Sequence, residues 1–337
     1  MPAVSYVYAV ARLRGMENRL LDASFLSRLM ESPTLDDALK ALAETSYAQW
    51  FGKAAETGFD RAIDDEMLAT CRELEQFVPD TGLITLFRMP YDYHNVKVIL
   101  KSLFKVRGGD PEGRRHELLS PLGSVDPEEL TAAIEAEEYA HLPYGLGYLI
   151  PQCWLHWDQT KDAQGVELLL DHHLFASMLA LAESLKLPEI VAWVRHKIDA
   201  ENLRSAVRLQ RMGVDAAGGL PFFHPGGNIR PEDAARLLGE PPETWGKLLA
   251  HTDIGAALDV LQERTDLRGT LSDVSRALDE YLVRVLEKAR FSMDDPANVL
   301  LYLLTKEAEA RNLRIVLVCV ASGLNREFAR RLLSHVR

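Results

Sequence analysis

The chain has 337 residues, of which 47% are hydrophobic and 26% charged, and its net charge is -12. This composition supports a sizeable buried core and excludes a disordered chain. An acidic chain without a basic block does not suit nucleic-acid binding, which depends on Lys and Arg neutralising phosphates. Three widely spaced cysteines, Cys71, Cys153 and Cys319, fit neither a disulfide framework nor a zinc pattern and indicate a reducing cytoplasm.

Helical periodicity dominates the chain. Helix starts are predicted at Thr34, Asp126 and Arg230, because acids follow each position and proline follows the last two. Three apolar stripes, whose members follow one another at the same spacings, predict amphipathic helices. The stripes are Ile63, Met67, Cys71 and Leu74, then Leu170, Leu174, Met178 and Leu181, then Leu278, Leu282, Leu286 and Ala289. Clear alternating strand patterns are absent, so the predicted fold class is all-α.

Breaks rich in proline and glycine fall at 107–113, 120–127 and 213–231 and predict loops and module boundaries. The longest uncharged stretch near the middle, 139–157, contains Pro143 and Pro151. A spanning helix needs about 20 mostly apolar residues. We therefore predict no direct membrane span, and any link to a membrane should pass through a partner.

One short motif occurs three times: an acid, two residues, asparagine, an aliphatic residue and a cation. It stands at Asp92–Lys97, Asp199–Arg204 and Glu309–Arg314. The asparagines lie 107 residues apart (202 − 95) and then 110 apart (312 − 202). This recurrence predicts an internal duplication.

A second landmark recurs in register, an aliphatic-aspartate pair whose acids are Asp64, Asp171 and Asp279. They lie 107 (171 − 64) and 108 (279 − 171) residues apart. Two landmarks at nearly one offset predict a threefold duplication into three helical modules, at 1–115, 116–222 and 223–337.

Two interpretations of the repeated asparagine are open. Asn95, Asn202 and Asn312 are first predicted to pack each module, since a buried amide must be hydrogen-bonded. Alternatively, the polar sides of the three helices line a shared surface that grips a partner. The repeated cations Lys97, Arg204 and Arg314 would then be the contacts.

Catalytic, cofactor-binding and metal-binding motifs are not predicted. The chain has no phosphate loop, dinucleotide fingerprint, zinc helix or nucleophile elbow. His172 and His173 diverge by about 100 degrees on a helix, so one metal rarely takes both. Cys153 with His156 and Asp158 has ligand-like chemistry but stands alone, whereas a structural zinc site normally needs four ligands.

The segments around the repeated motif, Tyr91–Lys101, Ile198–Arg208 and Glu307–Leu317, resemble the C subunit of V-type ATPases, which is equivalent to the d subunit of eukaryotes. The start of the chain, Tyr6–Arg14, resembles it too. The likeness covers essentially the whole chain, and the three motifs together are specific where any one alone is not.

The resemblance implies a funnel of three similar helical modules about a pseudo-threefold axis and no catalysis. It implies a central-stalk rotor subunit in the cytoplasm, peripheral to the membrane, present in one copy per complex. Its partners would be the central shaft subunits and the membrane rotor ring. Torque passed between them would couple ATP turnover to proton or sodium transport. The alternatives are a free-standing helical scaffold that binds a protein, or an enzyme of unrecognised type.

Overall fold

The predicted apolar stripes lie on three helices and face inward. Along the first stripe, Ile63, Met67, Cys71 and Leu74 are all buried. The second and third stripes are buried in the same way, except that Leu181 is half-buried. Burial of these faces removes apolar surface from water and is the main source of stability.

The structure, a computed structural model, describes residues 5–51, 58–110, 113–255, 258 and 271–334. Within these ranges every regular element is an α-helix or a 3₁₀-helix, so the all-α prediction is confirmed. The α-helices are α1 (Val7–Glu17), α2 (Ala23–Met30), α3 (Leu35–Ala41), α4 (Ala48–Phe51), α5 (Phe59–Glu75), α6 (Gly82–Arg107), α7 (Pro127–Glu135), α8 (Leu146–Thr160), α9 (Ala163–Leu185), α10 (Pro188–Arg211), α11 (Ala216–Gly219), α12 (Pro231–Arg236), α13 (Trp245–Leu248), α14 (Leu271–Glu287), α15 (Ala297–Ser322) and α16 (Arg326–Leu332).

Three helix pairs carry both landmarks: α5 with α6, α9 with α10, and α14 with α15. The first helix of each pair bears the landmark aspartate, and the second, of 26, 24 and 26 residues, bears the asparagine motif. The predicted helix starts also occur. The Thr34 side chain caps α3, that of Asp126 caps α7, and Arg230 precedes α12 without a side-chain cap bond.

The chain divides into two compact units. The first unit comprises 1–84, 210–212 and 240–337, and the second comprises 85–209 and 213–239. In the first unit, α15 is central and packs against α1, α2, α3, α5, α14 and α16. In the second, α8 packs against α9. The three predicted modules and their boundaries stay a prediction.

Helix α9 is, by length and composition, compatible with crossing a bilayer. Its most apolar window has a mean hydropathy of 1.2 and is 33% buried. The core helices of soluble proteins share these properties. The helix carries Asp171, His172 and His173 near its middle, and the Nζ atom of Lys97 donates to Asp171.

Candidate functional site

In the second unit, two of the repeated asparagines make the same pair of hydrogen bonds, which we call the amide clasp. Asn95 Nδ2 donates to the Ser120 carbonyl at 2.8 Å, and the Ser120 N–H donates to Asn95 Oδ1 at 2.7 Å. Asn202 does the same to His224, at 2.9 Å and 2.7 Å. Each side chain thus binds both backbone groups of one later residue.

In the first unit, Asn312 forms a third amide clasp. Its Nδ2 donates to the Ser334 carbonyl and its Oδ1 accepts from the Ser334 N–H, both at 2.9 Å. All three asparagines are buried. Because buried backbone groups must be paired, each clasp fixes a non-helical segment against a long helix. The three asparagines that were predicted to pack the modules therefore make the same two hydrogen bonds, each to the N–H and the carbonyl of a single residue.

The acid of the motif accepts a hydrogen bond from a second residue of the segment that the asparagine binds. Asp92 accepts a hydrogen bond from the Val125 N–H at 3.0 Å, and Asp199 accepts one from the Ile229 N–H at 2.9 Å. Both donors stand two residues before the first residue of a helix, α7 or α12. The asparagine and acid together thus set where the next helix begins.

In the third motif, the start of the chain supplies that donor. Glu309 accepts from the Leu21 N–H, and Leu21 stands two residues before α2. Asp22 caps α2 through the Phe25 N–H at 2.6 Å. In this respect α2, not α3 with its cap at Thr34, is the counterpart of α7 and α12. The predicted helix start at Thr34 does occur, at α3, and its place as the first member of that series stays a prediction.

The segments held by the first two clasps repeat each other residue by residue. Residues 120–127 read Ser-Pro-Leu-Gly-Ser-Val-Asp-Pro, and residues 224–231 read His-Pro-Gly-Gly-Asn-Ile-Arg-Pro. Their offset is 104 residues (224 − 120). The sequence predictions treated these segments as breaks that end in a helix start and did not recognise them as a repeat. The shared prolines and glycine at fixed offsets were the signal that could have found them.

The shared glycine has a steric reason. A Cβ atom at Gly123 would lie 2.5 Å from Asp92 Oδ1, and one at Gly227 would lie 2.2 Å from Asp199 Oδ1. Both distances are far inside van der Waals contact. A side chain at either place would therefore push the acid off its backbone donors.

The repeated cations Lys97 and Arg314 each pair with a landmark aspartate of another helix pair. Lys97 on α6 donates to Asp171 on α9. Arg314 on α15 donates to Asp64 on α5 at 3.0 Å, and also to Asp60 at 2.7 Å. These ion pairs give two cations a structural role within their own units. The role in partner binding stays a prediction.

The third cation, Arg204, pairs with an acid of its own helix, α10. It donates to Glu201, one turn earlier on α10, at 2.7 Å. In the first unit, Asp279 accepts from Arg311 at 2.5 Å.

A histidine pair lies beside the second clasp. His172 Nε2 is 3.0 Å from the Pro221 carbonyl, which requires a proton on that nitrogen. Its Nδ1 faces His224 Nδ1 at 2.9 Å, where one ring nitrogen donates and the other accepts. Burial lowers the pKa of His224 to about 4, aided by His172 and Lys97 and opposed by Glu201. The His224 imidazole is thus neutral near pH 7.

We expect the stability of the second unit to fall in mild acid. A base whose pKa is about 4 when folded and ~6.5 when unfolded stabilises the fold above pH 6.5, and this contribution is lost as the pH falls toward 4. The loss at pH 5 should be about 2 kcal/mol. Urea unfolding of wild type and His224→Gln at pH 7 and pH 5 checks this, because glutamine does not titrate.

His141→Gln is the matched control, since His141 is exposed in the same unit. It should keep the wild-type pH dependence, while His224→Gln should lose most of it. Equal pH dependence in wild type and His224→Gln would contradict the assignment to this pair.

A buried charge cluster surrounds the third motif. Lys306, 2% exposed, donates to Glu309 at 2.7 Å and lies 3.3 Å from Glu66. The Lys306 ammonium also lies 4.4 Å from the ring centroid of Tyr47, whose hydroxyl donates to Glu309 at 2.8 Å. Trp50 Nε1 donates to Glu66 at 2.8 Å. The cluster was not predicted from the sequence, because its members are spread over α4 and the turn before it, α5 and α15.

Among the residues that the structure describes, no group of three or more His, Cys, Asp or Glu side chains could hold a metal ion. His172 and His173 bond to different partners, since His173 Nδ1 lies 2.6 Å from the Tyr93 hydroxyl. Cys153 is buried, and burial raises its thiol pKa to about 12. The described geometry therefore consists of structural clasps and ion pairs.

The chain is similar to known rotary-ATPase subunits along nearly all of its length. A profile described as ATP synthase (C/AC39) subunit matches residues 9–332. The chain is 27% identical to the C subunit of the A-type ATP synthase of Thermococcus gammatolerans, over 96% of this chain and 88% of that protein. It is 21% identical to the C subunit of the V-type sodium ATPase of Enterococcus hirae, over 91% of each chain.

This helical chain belongs to the ATP synthase (C/AC39) subunit family. It is thus a non-catalytic subunit of a rotary ATPase complex that is associated with a membrane. The resemblance predicted from the three motif segments is confirmed. The more specific rotor role and the individual partners are taken up next.

Proposed function

We propose that this chain is the central-stalk subunit that links the rotating shaft to the membrane rotor ring and transmits torque. The family match over 9–332 carries the proposal. In this role the chain is peripheral to the membrane, present once per complex, and coupled to proton or sodium transport. Neither a nucleic acid nor a bound cofactor has a part in it.

The amide clasps support a mechanical role. Torque is lost if the body that carries it bends, and loops are normally its softest parts. Each clasp fixes both backbone groups of one loop residue to a long helix, at 2.7–2.9 Å. The loops at Ser120 and His224 are thereby stiffened before they enter the next helix, and the segment at Ser334 is fixed after the end of α16.

We further propose that the three clasps mark equivalent places in three copies of one helical module, in a pseudo-threefold funnel. The matching bonds of Asn95, Asn202 and Asn312 support this proposal. In the same proposal Lys97, Arg204 and Arg314 contribute to the binding of the shaft. For Lys97 and Arg314 this requires that they contact the shaft while keeping their internal ion pairs.

Isolation of the intact complex through a tag on this chain tests the proposal. The shaft subunits and the membrane ring should both be recovered with it. Removal of the chain from the complex should leave ATP hydrolysis by the head but abolish coupled ion transport. A free-standing scaffold would instead be recovered without ring and shaft, and ion transport would survive its removal.

A further inference from the structure

At the first two motifs, the residue bound by the asparagine and the residue bound by the acid are close neighbours in the chain. Ser120 precedes Val125 by five residues (125 − 120), and His224 precedes Ile229 by five (229 − 224). Each pair therefore lies on one continuous segment. If the acid releases its donor, the asparagine still holds the same segment a few residues away.

At the third motif, the two bound residues are far apart in the sequence. Asn312 binds Ser334, whereas Glu309 binds Leu21, which is 313 residues away (334 − 21). No short stretch of chain connects these two bonds. Because the entropy cost of bringing two residues together rises with the length of chain between them, the Asn312 clasp does little to hold Leu21 in place. The position of Leu21 depends instead on the contacts of its own segment.

That segment is short and has exposed residues on both sides. Asn18 and Arg19 are exposed between α1 and Leu21, and Pro33 and Thr34 are exposed before α3. We call residues 20–31, which contain α2, the strap. Exposed residues at both ends allow the strap to move without disturbing a buried part of its neighbours.

The strap covers an apolar face of α15, and the two helices α2 and α15 pack directly together. The strap residues Leu26, Leu29 and Met30 belong to the same buried core cluster as Leu313 and Leu317 of α15. Helix α2 has only 8 residues, and an isolated helix shorter than about 12 residues is marginal in water. The helical form of the strap therefore depends on its contact with α15, so it should be gained or lost as a whole.

Polar contacts hold both ends of the strap. At the front, Glu309 accepts from the Leu21 N–H, and both residues are buried. At the back, Glu31 accepts from Arg326 at 2.7 Å and from Arg330 at 2.5 Å, both on α16. These three side chains are about half-exposed, and exposed ion pairs contribute little to stability. The buried bond to a charged group is the stronger of the two contacts.

We propose that the strap closes over α15 and opens as one piece, held shut by Glu309, while the three amide clasps stay intact. This device lies within the first unit and is independent of the rotor role. Helices α7 and α12 should not open in this way, because each begins seven residues after a clasped residue (127 − 120 and 231 − 224). The third motif is thus the place where the first unit first comes apart.

Native-state hydrogen exchange of the full chain in low urea, read by mass spectrometry, tests the proposal. In wild type, peptides of the strap should exchange about tenfold or more faster than those of α15, as for a local opening below global unfolding. Glu309→Gln keeps the size of the side chain and removes its charge. It should speed exchange across the whole strap by about a further tenfold or more, the scale of one hydrogen bond to a charged group, and leave α5 unchanged.

Asp199→Asn is the matched control, because it makes the same change to the acid of the second motif. His224 remains clasped in this variant, so faster exchange should be confined to residues 226–230 and α12 should keep its protection. Glu31→Gln removes the half-exposed ion pairs and should speed exchange of the strap by about fivefold at most.

Equal exchange of the strap and α15 in wild type, with the same dependence on urea, overturns the proposal without the use of any variant. Faster exchange in Glu309→Gln that stops at Leu21 and Asp22 overturns it as well, since the strap would not open as one piece. Equal acceleration of the strap, α5 and α15 in that variant would show global destabilisation and also contradict it. Opening of the whole of α12 in Asp199→Asn would show that the third motif is not special.

Discussion

Replacing Lys306 by methionine is expected to lower the free energy of unfolding of the first unit by about 3–5 kcal/mol, the cost of breaking a buried ion pair. Lys306 is 2% exposed, and it neutralises two carboxylates that are also nearly buried, Glu309 and Glu66. Without the ammonium, two negative charges face each other in the core. Urea unfolding at pH 7 measures the change.

Lys40→Met is the matched control. Lys40 pairs with Asp36 at 2.5 Å, but both side chains are more than two-thirds exposed. Exposed pairs contribute about 0–1 kcal/mol, so this variant should be close to wild type. In addition, Lys306→Met with Glu66→Gln should recover part of the loss, because the amide carries no charge and can still accept from Trp50 Nε1. Equal stability of the Lys306 and Lys40 variants would rule out this account.

Replacing Asn202 by alanine is expected to cost about 2–4 kcal/mol, since each buried polar group left unpaired costs about 1–3 kcal/mol. The N–H and the carbonyl of His224 would both lose their side-chain partner. Thermal and urea unfolding would measure the effect. Asn18→Ala, at an exposed position, should change stability by less than about 0.5 kcal/mol.

The other two clasps extend this test. Asn95→Ala and Asn312→Ala remove the same two bonds from Ser120 and Ser334 and should cost amounts within about 1 kcal/mol of the Asn202 value. A large loss at one site and none at the other two would argue against three equivalent modules. It would leave the family membership untouched.

These two experiments separate two kinds of stabilisation. The clasps use neutral hydrogen bonds and occur three times. The Lys306 cluster occurs only at the third motif among the residues described, where Glu309 holds the start of the chain through Leu21. Its extra charged contacts strengthen the place at which two distant parts of the sequence are joined.

The all-α class, the paired helices and the three asparagines could be predicted because each leaves a local pattern. Apolar residues at helical spacing can be recognised within one segment. A motif that occurs three times can be recognised by the nearly constant number of residues between its copies. A short match repeated in register is informative even though it does not say what each residue contacts.

Other features could not be predicted in this way. The partners of Asn95, Asn202 and Asn312 lie 22 to 25 residues further on, in loops outside the repeated motif. The internal pairing of Lys97 and Arg314 was also missed, because their carboxylates belong to other helix pairs.

The amino-acid sequence by itself determined the helical class, the repeated motif and the family, since periodicity and motif spacing are properties of the chain as written. Only the tertiary structure decided which backbone groups the asparagines bind and that the third acid takes its donor from Leu21. The physical reason is that hydrogen-bond pairing and burial depend on which distant segments meet in space, and sequence distance does not encode this.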